Sequence, residues 1–133
     1  MASVIGVILA LAVGLFASGI RLDRDRGLYP TVTMVVASYY ALFAVMGAPA
    51  HTLLLELVAV GLFLALAVLG FKSSLWLVAA ALAGHGIFDF AHGAFISNPG
   101  VPEWWPPFCA AYDVTAAAYL AGLLASGRLR AAA

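Results

Sequence analysis

Charge is what this chain lacks most. Only 9% of its 133 residues are Asp, Glu, Lys or Arg, and 65% are hydrophobic. An ordinary soluble domain carries about 25% charged residues. With a mean hydropathy of +1.09, the composition excludes a water-soluble globular fold and identifies an integral membrane protein whose main solvent is lipid. A single cysteine, Cys109, excludes an internal disulfide, a cysteine-held iron–sulfur cluster and any CxxC metal pair. The formal net charge is zero, so nothing points to nucleic acid as a partner. No Gly-rich phosphate loop is present, which removes the usual nucleotide site. Linkers, repeats and low-complexity tracts are also missing, and residues 1–133 read as one domain.

What is there in abundance is long apolar runs. Five can be read, over about residues 3–20, 30–47, 52–70, 75–96 and 107–126. Each is near the roughly 20 residues a helix needs to cross a hydrocarbon core. Backbone amides cannot stay unpaired in lipid, and no run alternates polar with apolar residues as a barrel strand does. The expected fold is therefore all-α, a bundle of five transmembrane helices. All six basic residues (Arg21, Arg24, Arg26, Lys72, Arg128 and Arg130) fall on one side of such a bundle. Basic loops mark the cytoplasmic face, so the N-terminus is expected outside and the C-terminus in the cytoplasm, in a bacterial inner membrane. The first run is expected to stay as an anchor, because no basic residue precedes it. The segment "RLDRDRG" reads as a topology anchor with internal ion pairs.

The few ionisable residues inside the runs converge. At 1.5 Å per residue, His92, Asp89 and His85 lie about 6, 10 and 16 Å below the outer end of the fourth helix, Glu56 about 6 Å deep on the third and Asp113 about 9 Å deep on the fifth. On the fourth helix, His85, Asp89 and His92 share a stripe about 60° wide. Gly84, Gly86 and Gly93 beside them are expected to admit a neighbouring helix closely. A charge at such depth costs at least about 2.5–3.5 kcal/mol, and every Lys and Arg is at the opposite face. The three carboxylates must then be protonated, pair with the histidines, or hold a cation. Carboxylates with imidazoles suit Zn, Mn or non-haem Fe. The sequence thus nominates His85, Asp89 and His92 as metal ligands, with Glu56 and Asp113 as further ligands or, in a metal-dependent enzyme, as general base. A haem is excluded, since His85 and His92 stand about 10 Å apart on one face and cannot clasp it from both sides.

The run from "LLLELVAVGLFLALAVLG" through "GHGIFDFAHG" to "VPEWWPPFCAAYDVTAAAYLAG" resembles a family of small bacterial integral membrane proteins of unknown function, over about residues 30–125. The resemblance implies that Glu56, His85, Asp89, His92 and Asp113 form one unit, and it brings no activity. A more distant likeness is to zinc-dependent lipid amidases of seven-span membranes, from which this chain departs in span count and in lacking a clear serine partner. The favoured expectation is a metal site acting on a lipid or amphiphile from the outer leaflet. Two others stand beside it: a proton- or cation-coupled transporter completed by oligomerisation, and a helper subunit of a larger membrane complex in which the polar cluster only glues helices. His51 is expected to be solvated at the interface, Trp104 and Trp105 to form an aromatic belt, and Cys109 to be a small apolar filler.

Overall fold

Five helices form where the apolar runs fall, in a computed structural model that describes all of residues 1–133. They are α1 (Ala2–Ile20), α2 (Leu28–Gly47), α3 (Ala50–Lys72), α4 (Leu75–Phe95) and α5 (Trp105–Ala125), with a short 3₁₀ turn at Leu22–Asp25 after α1. Each of the five is long and apolar enough to cross a membrane. There is no sheet; the nearest thing is an isolated bridge between Ser74 and Ala132. The helix ends follow local chemistry. Ser74 caps α4, its side chain accepting from the Trp76 amide at 3.3 Å. Pro30 sits in the first turn of α2, and Pro106 and Pro107 in that of α5, where a missing N–H breaks no helical bond. The helices therefore start about two residues before the prolines that the sequence suggested as boundaries.

Helix α5 packs between α1 and α4, while α4 also packs on α3 and α2, and α2 on α3. The pattern of burial is inverted relative to a soluble protein. Phe16, Leu54, Val58 and Phe90 are exposed on the outside, and Glu56, His85, Asp89, His92 and Asp113 are buried inside. In a membrane, lipid would remove most of the hydrophobic drive between such helices, leaving close packing and polar bonds to hold the bundle. On α1 this is done by small residues: Gly6, Ala10, Gly14 and Ala17 are its buried positions. A Cβ on Gly6 would run into the Phe108 carbonyl oxygen, and one on Gly14 would meet the Tyr119 ring at 2.9 Å. Gly6→Val is expected to push α1 off α5 and to destabilise the bundle by about 1–3 kcal/mol, the usual overpacking penalty. Thermal unfolding in detergent checks this. Gly19→Ala is the control, because a Cβ there meets nothing within 4 Å.

At the end of the bundle that carries the basic residues, the chain closes on itself. The Arg26 guanidinium donates to the carbonyls of Arg130, Ala131 and Ala132 at 2.7 Å and of Phe71 at 3.0 Å. Arg26 sits at φ 72°, a left-handed conformation that these bonds hold in place. The expected ion pairs within "RLDRDRG" do not form. Asp23 instead accepts from Ser18 at 2.7 Å, and Asp25 from the Gly27 amide at 3.1 Å. The segment ties loops and tail to the basic end through hydrogen bonds, because Arg26 is turned towards carbonyl oxygens rather than towards the segment's own acids.

Candidate metal centre

The 3.6-residue period of α4 puts His85, Asp89 and His92 on its buried face. Each is 1–2% exposed. Helix α5 presents Cys109 and Asp113, one turn apart, to the lower part of that stripe, and α3 presents Glu56 to its upper part. The approach of α5 is possible because Gly86 faces it: a Cβ there would meet Val114 at 2.9 Å and the Ala110 carbonyl at 3.0 Å. Gly84 and Gly93, expected to serve the same purpose, have nothing within 4 Å of a Cβ. They face away from the α4–α5 contact.

The five residues nominated from sequence are gathered into two neighbouring centres along α4. In the deeper one, His85 Nδ1 and Asp113 Oδ2 are 2.6 Å apart, and Asp89 Oδ2 lies 3.4 Å from the same nitrogen. The Cys109 thiol points at Asp113 Oδ2 from 3.8 Å. One potential ligand atom from each of His85, Asp89, Cys109 and Asp113 lies within 4.8 Å of the other three, and all four residues are buried. In the second centre, about 10 Å further along α4, His92 Nε2 donates to Glu56 Oε1 at 2.8 Å. The Asn98 amide also donates to that oxygen at 2.8 Å and to the Tyr40 carbonyl at 3.1 Å. The Tyr40 ring lies flat on the His92 imidazole, with centroids 3.9 Å apart and planes at 16°. Phe88 presents its edge to His92, and Phe63 its edge to His85.

Two partners were not legible as such. Cys109, read as an apolar filler, has its sulfur in the deeper group; its i, i+4 relation to Asp113 was the available signal. Asn98 lies in the loop between α4 and α5, where no helical period fixes direction, and an Asx turn to the Gly100 amide (3.1 Å) aims it inward. His51 is exposed and belongs to neither centre. The two tryptophans divide: Trp104 is exposed as a belt residue would be, whereas Trp105 is buried against Tyr39, Phe43 and Phe108.

The charge arithmetic is unbalanced. Three buried carboxylates face two imidazoles, so a fully ionised cluster stays negative even with both rings protonated. Four carboxylate oxygens (Glu56 Oε2, both of Asp89, and Asp113 Oδ1) are buried without any hydrogen-bond partner. Leaving such atoms unpaired is expensive, and a cation is the ligand that satisfies several at once. The deeper group fits one. A tetrahedral ion bound at about 2.0–2.3 Å separates its ligand atoms by roughly 3.3–3.8 Å. The His85–Asp89 distance of 3.4 Å and the Cys109–Asp113 distance of 3.8 Å already match. The 2.6 Å His85–Asp113 contact is shorter than that and has to open for an ion to enter.

Two openings approach these centres. A polar recess of about 290 Å³, at the end opposite the basic residues, is lined by His92, Ser97, Asn98, Glu103 and prolines of the α4–α5 loop. An apolar groove of about 370 Å³ runs between α1 and α2 along the face of α5, past Leu28, Val32, Val36, Tyr39 and Phe108, and reaches Cys109. It exists because α1 packs on α5 and leaves α2 uncovered on that side. No family profile, no curated protein and no solved structure matches this chain. The site is therefore read from its own chemistry.

Proposed function

We propose that this protein is a multi-pass protein of the bacterial inner membrane, basic end in the cytoplasm, that holds one divalent transition-metal ion on His85, Asp89, Cys109 and Asp113 in the outer half of the bilayer. The ion is Zn²⁺ in preference to Mn²⁺ or Fe²⁺. A thiolate disfavours Mn²⁺, two carboxylates disfavour copper(I), and a mixed N/O/S set of four at tetrahedral spacing suits zinc. The observation that carries the reading is the gathering of these four ligand atoms within 4.8 Å, all buried, beside carboxylate oxygens that have no other partner.

The ion serves chemistry on an amphiphile drawn from the surrounding lipid. When bound, it acts as a Lewis acid towards a polar headgroup or a water. The chain's own residues do the rest. The groove along α2 from Leu28 to Tyr39 spans about 16 Å, room for an extended alkyl chain, and it delivers the polar end of such a molecule to Cys109. Val78, Leu82 and Leu120, all fully buried, close the bundle between the metal group and the basic end. That plug weighs against a transporter, since a route to the cytoplasm would need polar steps where these side chains pack. A purely structural polar cluster, as in a helper subunit, would pair its carboxylate oxygens rather than leave four without a hydrogen bond.

Elemental analysis of protein purified in detergent without chelator tests the proposal. One zinc per chain is expected, retained on dialysis and lost in His85→Ala and Asp113→Asn. Metal-free wild-type protein that takes up no Zn²⁺ on titration would overturn it.

A further inference from the structure

The second centre is not needed as a ligand of the deeper ion, yet it is built as carefully. Glu56 is fully buried, with Oε1 committed to His92 and Asn98 and Oε2 without a partner. Asn98 fixes this carboxylate from the loop side and is itself held by the Tyr40 carbonyl. Two of the three residues, His92 and Asn98, also line the polar recess. A buried acid with one free oxygen, next to a ring nitrogen at the floor of a polar opening, has the donor chemistry of a divalent-cation site. Below it the next unpaired oxygens belong to Asp89, one helical turn down α4 from His92, and then to Asp113 in the deeper group.

We infer that Glu56 and His92, with Asn98 holding the carboxylate in place, form a second, transient station for a divalent cation, through which the ion passes from the polar recess to His85, Asp89, Cys109 and Asp113. This rests on the metal-centre reading above and adds to it the route and side of loading. His92, Asp89 and His85 follow one another on the buried face of α4 at intervals of about one turn, roughly 5 Å, so each move hands the ion from one of these side chains to the next. The ion is never left in an apolar stretch, where its desolvation would be prohibitive. The apolar groove offers no carboxylate oxygens; of its lining residues only Thr31, Tyr39, Trp105, Tyr112 and Cys109 carry polar side-chain atoms. It cannot be the cation's path.

Loading of the apo-protein with Co²⁺ reads this directly, because cobalt–thiolate absorption appears only when the ion reaches Cys109. Glu56→Gln keeps hydrogen bonds to His92 and Asn98 but removes the charge. It is expected to slow the appearance of the band by roughly tenfold or more, the loss of one charged contact to the passing ion, with the same final amplitude. Gly93→Leu supplies a second variant that touches neither centre. Gly93 lines the recess, and a Cβ there meets nothing within 4 Å, so a larger side chain fills the opening and slows loading in the same way. Rates equal to wild type in both variants overturn the inference, and so does a lost final amplitude in folded Glu56→Gln, which would make Glu56 part of the resident centre. No band and no bound cobalt in the wild type would instead sink the metal centre itself, so the two failures are distinguishable.

Discussion

Cys109→Ala is expected to weaken metal binding severely while leaving the helical bundle intact. The two halves of that result have separate causes. Cys109 is 1% exposed and packed in the hydrophobic core cluster, so alanine keeps an apolar side chain there and loses one sulfur atom's worth of packing. Large-to-small changes of this size cost about 1 kcal/mol, and circular dichroism and a near-normal thermal midpoint should confirm a folded protein. The metal, by contrast, loses the one soft ligand in its shell. Changes in outer-shell partners alone lower metal affinity by about 10–100-fold, so removal of a direct thiolate ligand is expected to exceed roughly a hundredfold. A filler cysteine would give the first half of the result without the second. Competition against a chelator of known affinity supplies the measurement.

Glu56→Leu is expected to be the most destabilising single change in the chain, and His92→Leu in the same background to restore most of the loss. Glu56 is fully buried and is the shared acceptor of His92 and of Asn98. Removing it strands an imidazole and an amide in the interior. Breaking a buried pair from one side costs about 3–5 kcal/mol. Replacing both members by apolar residues of similar size is often neutral or stabilising, and here Asn98 still keeps its bond to the Tyr40 carbonyl at 3.1 Å. A double-mutant cycle in detergent, read by chemical or thermal unfolding, should show this strong non-additivity. If Glu56→Leu and His92→Leu instead add, the pair is not the structural unit described here. The same double variant should still bind metal at the deeper group, only more slowly.

The fold was largely legible in the sequence because long apolar runs follow a simple rule, and the site was legible only in part. All five helices are present at the expected places, since an apolar run of about 20 residues has few other fates. Their ends moved by at most two residues, at the starts of α2 and α5 because Pro30, Pro106 and Pro107 sit inside first turns rather than before them. Hydropathy carries no information about which helix packs on which. It did not show that α1 packs mainly on α5 and so opens the groove to Cys109. The convergence of Glu56, His85, Asp89, His92 and Asp113 towards one end of the bundle followed from counting depth. Their division into two centres did not, because it depends on the rotation of α3 and α5 about their own axes. Gly86 was recognisable as a close-approach position, but Gly84 and Gly93 looked the same in sequence and face open space. For Cys109, residue type favours the filler reading until Asp113 and His85 are seen beside it.

The measurement that bears most directly on the central claim is X-ray absorption at the zinc edge on protein loaded with one equivalent of the ion. Occupancy of His85, Asp89, Cys109 and Asp113 predicts one sulfur neighbour at about 2.3 Å and three nitrogen or oxygen neighbours at about 2.0–2.1 Å, with the sulfur scatterer absent in Cys109→Ala. A first shell made only of nitrogen and oxygen in the wild-type protein, or one unchanged by that substitution, would contradict it.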